Sequence, residues 1–242
     1  MKGRSLLALM VLLLAVSPAW GQIAFDATSN SGAQGSTNPV TWSHTVSGSD
    51  TLLAVHIAQR GSGFPAAGGV TYNGVSLTSA QQDGPISFIH SSIWYLANPA
   101  TGTNTVSVTF PSAPTRSVSG AVSLTGVDQS SPLDANNGST GTGTTASVAV
   151  TTVADNAWVI GGVGVRTAAS ETITVGAGET QDWNVLDTAN GLRAGGSHTT
   201  AAVTPAGAHT MDWTISASLA WAISATSFKP AAGAARRLMV IQ

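Results

Sequence analysis

The sequence predicts an all-β protein, an antiparallel β-sandwich of the jelly-roll or lectin-like kind built from two internal copies. Three observations lead to this prediction. Short runs of alternating apolar and polar residues recur along the chain, bounded by Gly, Asn, Asp and Pro. Beyond residue 21, no segment has a convincing apolar stripe with helical spacing and capping residues. Similar segments also occur twice in the same order, offset by 101 to 108 residues.

The strand pattern is clearest in VTWSHTV, TVSVTF and MDWTI, which begin at residues 40, 105 and 211. In each segment alternate residues are apolar or aromatic, as expected for a strand with one face on a core. Tight turns are predicted at pairs that tolerate positive φ, namely Asn73-Gly74, Asp83-Gly84 and Asn190-Gly191. Four tryptophans lie on the apolar side of their strands and are predicted to be core residues: Trp42, Trp94, Trp213 and Trp221.

The two copies are predicted to span residues 25–127 and 133–228, with residues 128–132 as the joint. The first copy opens with FDATSNSG and the second with LDANNGSTG, so Asp26 corresponds to Asp134. Each copy is then predicted to run through a Gly/Ser/Thr-rich loop into its next strand. Two arrangements fit this pattern. The short joint favours one intertwined sandwich with a shared core, and two tandem immunoglobulin-sized sandwiches are the alternative.

The N-terminal segment has the features of a signal peptide. Lys2 and Arg4 precede an apolar run from Leu6 to Val16, and small residues stand at positions 19 and 21. Residues 1–21 are therefore predicted to be removed on export, leaving residues 22–229 as the sandwich. The apolar run is shorter than the roughly 20 residues that span a bilayer. No membrane span is predicted in the mature chain, and residues 230–242 are predicted to be a frayed tail.

The charge of the mature chain argues against nucleic acid as a partner. Removing residues 1–21 leaves 9 − 2 = 7 basic residues against 11 acidic ones, a formal net charge of −4. Nucleic-acid binding normally needs a basic patch. The chain has no cysteine, so no disulfide stabilises the fold.

Three segments give the chain a resemblance to known proteins: TLLAVHIAQR, YLANP and GAVSLTGVDQSSPLD. In their order, they resemble a group of bacterial secreted proteins and surface-protein modules predicted to be lectin-like β-sandwiches. The resemblance covers nearly the whole mature chain. It implies a sandwich fold and a secreted or cell-surface location in a bacterium, and it brings no catalytic residues.

Catalytic motifs are missing from the sequence. A glycosidase needs two positioned carboxylates, but the two glutamates, Glu171 and Glu179, lack the alternating Glu-Asp-Glu strand pattern of sandwich-fold glucanases. Neither G-x-S-x-G nor H-E-x-x-H occurs. No catalytic residue is predicted, and the chain is predicted not to be an enzyme. A polysaccharide hydrolase or lyase would require one of these glutamates to lie in a cleft beside a second carboxylate.

Two tryptophans are candidates for sugar binding. Trp183 has no aromatic counterpart in the first copy and is flanked by Asp182 and Asn184, and Trp158 lies on the strand face opposite Val159. An exposed indole beside hydrogen-bonding groups is typical of a sugar-binding face. Burial beneath a loop is the favoured alternative, because tryptophan is usually buried.

A calcium site is the only cofactor that the sequence suggests. An EF-hand loop counted from Asp134 fails, because its fifth position is Gly138 and its twelfth is Thr145. A looser Ca²⁺ site formed by Asp134, Asn136 and Asn137 is the alternative to turn formation by these residues.

Arg60 and Arg166 occupy corresponding positions in the two copies. The favoured interpretation is a repeated structural role, in which each arginine meets a carboxylate or a strand-end carbonyl. An anion-binding site is the alternative.

These observations together predict an exported, non-catalytic β-sandwich with a structural or adhesive extracellular role. A carbohydrate-binding module, with a polysaccharide or cell-surface component as its partner, is the alternative. The sequence does not specify an oligomeric state.

Overall fold

A computed structural model describes residues 22–61, 67–167, 170–188 and 191–232. The predicted signal peptide, residues 1–21, lies outside the described residues, as do residues 233–242 of the predicted tail. The described residues form strands and no helix, so the predicted all-β class is confirmed. None of these residues belongs to a helix that could cross a membrane.

The strands of the first half are β1 (Ala24–Asn30), β2 (Val40–Val46), β3 (Leu52–Arg60), β4 (Gly69–Tyr72), β5 (Val75–Ser76), β6 (Thr78–Ile86), β7 (Ile89–Ala97), β8 (Gly102–Thr109) and β9 (Arg116–Thr125). Those of the second half are β10 (Leu133–Thr151), β11 (Trp158–Arg166), β12 (Ile173–Val175), β13 (Glu179–Asp187), β14 (Leu192–Thr199) and β15 (Ala208–Phe228). All of the strand pairs are antiparallel.

The first half is a sandwich of two sheets. Its inner sheet has the order β1-β9-β3-β7-β6, and its outer sheet has the order β2-β8-β4-β5. In the second half, β10 and β15 are long enough to serve both layers. Residues 133–143 of β10 pair with 219–228 of β15 in the inner layer, and residues 145–151 pair with 208–214 in the outer layer.

Each half has an apolar core between its own two layers. In the first half, Leu53, Val55 and Ile57 of β3 pack against Val106 and Val108 of β8 and their neighbours. In the second half, Val163 and Val165 of β11 pack against residues of β10 and β15, including the fully buried Trp213. The period-two alternation of apolar side chains places each set on one face of its strand. The predicted antiparallel sandwich is confirmed.

The two sandwiches are stacked with their inner sheets face to face. Leu52, Leu124 and Tyr95 of the first half pack with Ile160 and Phe228 of the second half. A second shared cluster contains Ala58, Ile89 and Val118 of the first half with Trp183 and Leu192 of the second. Small and polar residues fill the rest of this interface, which brings the two backbones close together.

The intertwined sandwich favoured from the sequence is not the arrangement found. Such a fold would pair strands of both halves in one sheet, whereas each described sheet draws all of its named strands from one half. Two separate sandwiches can be connected by the short joint, because the end of β9 and the start of β10 lie at the same end of the stack. The chain therefore follows the alternative of two tandem sandwiches. A large apolar interface is buried between them.

The order of strand pairing is the same in both halves. The order β1-β9-β3-β7-β6 in the first corresponds to β10-β15-β11-β14-β13 in the second. Two carboxylates repeat the same contacts. Asp26 accepts hydrogen bonds from Ser123 Oγ (2.6 Å) and from the amide of residue 47 (2.9 Å). Asp134 accepts them from Ser227 Oγ (2.9 Å) and from the amide of residue 153 (3.0 Å). This repetition is what an internal duplication predicts.

Two local predictions are wrong. The pattern predicts a loop in the Gly/Ser/Thr-rich segment after Asp134, but this segment lies within the continuous strand β10. Its glycines let neighbouring groups approach closely, since a Cβ on Gly138 would come within 1.8 Å of the Asp83 carboxylate. The expected turn at Asp83-Gly84 lies inside β6, and the chain turns instead at Ser87 and Phe88.

One predicted turn is confirmed. Asn73 and Gly74, both with positive φ, connect β4 to β5. Asn190 of the third predicted turn lies outside the described residues.

The described chain enters and leaves the stack at the same end. The amide of Ala231 donates to the carbonyl of Gly126 (2.9 Å), and a Cβ on Gly126 would come within 2.3 Å of the carbonyl of Gln22. We call this the joint end. We call the opposite end, where β3 finishes at Arg60, the arginine end. Nine residues of β3 separate the two ends, about 27 Å at the usual strand rise.

Candidate functional site

Trp183 is not an exposed sugar-stacking platform. Its side chain is buried between the two sandwiches, with 4% of the residue exposed. The indole stacks on the His56 ring at 5.5 Å between centroids. It lies directly over two glycines, since a Cβ on Gly120 or Gly196 would come within 2.0 or 2.4 Å of its Nε1. The proposed role in sugar stacking is therefore wrong, because a ring enclosed in this way cannot contact a ligand.

Trp158 belongs to a stack of three rings at the joint end. The His198 ring lies between Trp158, at 5.4 Å, and Phe25, at 5.0 Å, with interplanar angles of 12° and 17°. Asp182 is buried behind this stack, where its Oδ1 lies 2.7 Å from Nδ1 of His198. Burial raises the pKa of Asp182, and its hydrogen bond to His198 opposes that rise. The carboxyl group fixes the orientation of the histidine ring and does not reach the surface.

Asn184 faces a different group of residues. Its Nδ2 donates to the carbonyl of Ile173 (3.1 Å), and its Oδ1 accepts from Nη1 of Arg193 (2.7 Å). The four residues predicted for carbohydrate binding, Trp183, Trp158, Asp182 and Asn184, therefore do not form one surface. Strand alternation and the bulge between residues 181 and 183 send their side chains in different directions.

The three residues predicted for calcium binding do not converge. The Asp134 carboxylate accepts three hydrogen bonds, from the amides of residues 153 and 154 and from a serine. Asn136 donates to Oε1 of Gln81 in the first half (3.0 Å), whereas Asn137 donates to the carbonyl of Ala149 (2.8 Å). Successive strand residues point to opposite faces, so the two amides cannot share an ion. No group of three or more His, Asp or Glu side chains placed for a metal was found within the described ranges.

Of the two glutamates, Glu171 lies beside a cleft at the arginine end, because it accepts a hydrogen bond from Thr167, which lines that cleft. Glu179 is buried and accepts hydrogen bonds from Ser197 Oγ (2.5 Å) and from the amide of Asp212 (2.7 Å). Burial raises the pKa of Glu179 to about 6, and the nearby Asp212 carboxylate adds to the rise. Glu171 accepts a hydrogen bond from the Thr167 hydroxyl. Both glutamates hold backbone or hydroxyl groups of the fold in place.

The arginine end contains a cleft of about 490 Å³ where the two sandwiches meet. This volume falls within the roughly 300–1,000 Å³ typical of ligand pockets, which often form at domain interfaces. The lining combines two arginines with hydroxyl groups and a short apolar segment, contributed by both halves: Arg60, Ser87, Thr142, Arg166, Thr167, Ser218, Leu219 and Ala220. The two arginines that correspond between the copies thus meet in one cleft.

The two arginines differ in their surroundings. Arg60 is half-buried and reaches towards the second sandwich, since its Nη1 would lie 3.3 Å from a Cβ on Gly191. Arg166 is exposed, and its guanidinium makes no ion pair or hydrogen bond with any side chain that the structure describes. The structural pairing favoured for Arg166 from the sequence is therefore not found in this part of the chain, and the anion-site alternative stays a prediction.

Positive charge is concentrated at this end of the molecule. Arg60 and Arg116 are direct cross-strand partners, and Arg193 and Arg166 lie at the adjoining ends of β14 and β11. Two carboxylates accompany these four arginines. Asp187 lies 3.5 Å from Arg116, and Glu171 acts electrostatically on Arg193. The local formal charge is therefore 4 − 2 = +2, in a mature chain whose net charge is −4.

Six of the remaining carboxylates illustrate how acidic groups are placed away from the cleft. Asp83 is two residue pairs along β7 from the arginine end and is held between the sandwiches by Ser224 Oγ at 2.6 Å. Burial raises its pKa, which favours the neutral form. Five others surround the joint end: Asp26, Asp50, Asp128, Asp134 and Asp155. Charge is therefore distributed unevenly along the strand direction, with the positive excess at the arginine end.

An exposed aromatic ring stands at the rim of the cleft. Ser87 and Phe88 form the two-residue turn between β6 and β7, with φ of 47° and 69°. Such angles suit tight hairpins, but a phenylalanine rarely adopts them. Phe88 is 55% exposed and lines a neighbouring pocket of about 220 Å³ together with Arg60, Gly61 and Thr115. Arg60 therefore borders both depressions.

A third depression opens at the edge of the first sandwich. It has a volume of about 260 Å³, and Trp94 lines it together with glycines and hydroxyl residues of β4, β5 and β8. The sequence predicts that Trp94 is a core residue, but its side chain is only partly buried against the core of the first sandwich. Its Nε1 is buried and has no hydrogen-bond partner among the described residues.

Comparisons with protein-family models, curated proteins and solved structures gave no match to this chain. The sequence held one signal for the cleft, the correspondence between Arg60 and Arg166. Nothing in it marked Ser87, Phe88 or Ser218, because their position depends on how the two sandwiches are stacked.

Proposed function

We propose that this chain is an exported, non-catalytic adhesive module that holds an extracellular ligand in the cleft at the arginine end. One observation carries the proposal: both sandwiches line this cleft, at the end opposite to the chain entry and exit. If the module is attached through the joint end, the cleft faces the surroundings about 27 Å from the point of attachment. The signal peptide predicted for residues 1–21 supports the extracellular location.

The character of the cleft supports binding more than catalysis. None of the three depressions described above is lined by an aspartate or glutamate. The buried glutamate with a raised pKa, Glu179, is engaged by Ser197 and by the amide of Asp212. Hydroxyl and guanidinium groups can orient a bound ligand without supplying the acid and base that hydrolysis requires.

The proposal is tested by blocking the cleft. Ser218 is exposed and lines the cleft, so a Ser218→Trp variant should fill the cleft and leave the core unchanged. Ser131→Trp adds the same bulk at an exposed position near the joint end. The mature wild-type chain should be retained on some members of a glycan and cell-envelope polymer panel. Ser218→Trp should lose this retention, and Ser131→Trp should keep it. Equal retention of both variants would contradict the proposed site.

Binding of a neutral sugar beside Trp94 is a second candidate function. An indole wall surrounded by hydroxyl groups suits a sugar ring. Replacing Trp94 with Phe keeps an aromatic side chain but shortens this wall. If this change weakens retention on a neutral glycan and Ser218→Trp does not, the pocket beside Trp94 is the binding site.

A further inference from the structure

Two guanidinium groups from different sandwiches border one cleft. Arg60 extends across the interface to Gly191, and Arg166 is exposed with no ion pair to a described residue. A guanidinium presents several N–H donors in a planar fork that matches the two oxygens of a carboxylate. The chain has few charged residues, and its charge away from the arginine end is net negative. The positive charge of the two arginines is therefore a local feature of the cleft.

The other groups around the cleft suit a saccharide. Ser87, Thr142 and Ser218 surround the arginines with hydroxyl groups that can donate and accept hydrogen bonds. The Thr167 hydroxyl donates to Glu171, so it can only accept a hydrogen bond from a ligand. Phe88 supplies an exposed ring on the far side of Arg60. Its strained backbone conformation persists only because the tight turn imposes it. An aromatic ring next to a charged group can stack on a sugar ring while the guanidinium holds its acidic substituent.

We infer that the cleft binds an acidic saccharide, an oligomer of uronic acid units whose carboxylate lies between Arg60 and Arg166. This inference rests on the proposed function and names the ligand class of the same cleft. One sugar unit occupies the space between the arginines, and the next lies against Phe88. Phosphate offers the same oxyanion chemistry without a sugar ring, so it is the appropriate comparison.

The test is a calorimetric titration of the mature chain at low ionic strength. The ligands are trigalacturonate, its neutral methyl ester and inorganic phosphate. Arg166→Gln removes one positive charge at the cleft, and Lys229→Gln removes one at the joint end, so the two variants have the same net charge. Arg166 is exposed and has no partner in the described residues, so its replacement should leave the melting temperature unchanged.

We expect the wild type to bind trigalacturonate and not its ester, with affinity falling as salt is added. Arg166→Gln should weaken binding about tenfold or more, the scale of one lost charge-assisted hydrogen bond. Lys229→Gln should bind like the wild type, and phosphate should compete only weakly.

Several results would overturn the inference. If the wild type binds trigalacturonate and its methyl ester equally, and Ser218→Trp blocks both, the ligand is not recognised by its acidic group. The cleft would then still be the binding site. Equally strong competition by phosphate would indicate a general oxyanion site. Equal effects of Arg166→Gln and Lys229→Gln would place binding outside the cleft. If trigalacturonate does not bind, the inference fails, while the proposed function still depends on the polymer panel and the Ser218→Trp variant.

Discussion

Replacing Trp183 with Ala should destabilise the protein strongly. The side chain is 96% buried between the sandwiches, since 4% of the residue is exposed. A tryptophan of this kind buries roughly 200 Å², which corresponds to about 5 kcal/mol of transfer free energy at about 25 cal/mol per Å². Alanine keeps the backbone and the Cβ atom of this area buried, so the expected loss is about 3–5 kcal/mol, the range for Trp→Ala in a core. The large loss follows because both Gly120 and Gly196 leave space that only this ring fills.

Urea unfolding of the mature chain measures this loss directly. The free energy of unfolding is obtained from the midpoint and slope of the transition. Trp158→Ala is the matched control. Trp158 is partly exposed in the stack at the joint end, so its replacement should lower the free energy of unfolding by less. A loss below about 1 kcal/mol for Trp183→Ala, within the range of ordinary surface substitutions, would refute the buried position and the stacking derived from it.

Three further predictions concern the same interface and the buried titratable groups. Gly120→Ala should lower the free energy of unfolding by about 1–3 kcal/mol, because the new methyl group overpacks against the indole of Trp183. Gly143→Ala is the control and should be nearly neutral in urea unfolding, because its Cβ would meet nothing closer than 4.0 Å. Equal losses for the two variants would contradict the close packing. Burial lowers the pKa of His56 from 6.5 to about 3. The unfolded chain therefore takes up this proton first, and stability should fall as pH drops from 6.5, by up to about 1.4 kcal/mol per pH unit. His56→Gln should show a shallower fall below pH 6.5, and an unchanged slope would count against the buried neutral ring. Burial raises the pKa of Glu179 from 4.5 to about 6, so the stability due to its protonated form is lost as pH rises through that range. Glu179→Gln should gain stability relative to wild type between pH 4.5 and 6 in parallel melts, and a constant difference would contradict the burial.

The sequence was sufficient to predict the strands and the class of the fold. Alternation such as that of Val106 and Val108 in β8 directly reflects a strand with one face on a core. The corresponding positions of Asp26 and Asp134 also anticipated a shared local structure, in which each carboxylate accepts hydrogen bonds from a serine and a backbone amide. These features depend on residues within one half of the chain.

The parts that failed depend on how the two halves pack together. Trp183 was a sugar-binding candidate because it lies between Asp182 and Asn184, but its ring meets the inner sheet of the other sandwich and not a covering loop. Small residues such as Gly120 give no apolar signal for a covered sheet face, although they allow close packing. Arg60 and Arg166 are 106 positions apart in the sequence, and only the stacking of the two sandwiches brings them to one cleft.

The most direct test of the account is a titration of the ¹⁵N-labelled mature chain with trigalacturonate, followed by amide chemical shifts. The account predicts shifts that saturate and cluster at the arginine end, at Ser87, Phe88, Thr167 and residues 218–220, with the joint end unchanged. Shifts confined to the surroundings of Trp94, shifts spread along the whole stack, or no shifts at saturating ligand would contradict binding of an acidic saccharide between the two sandwiches.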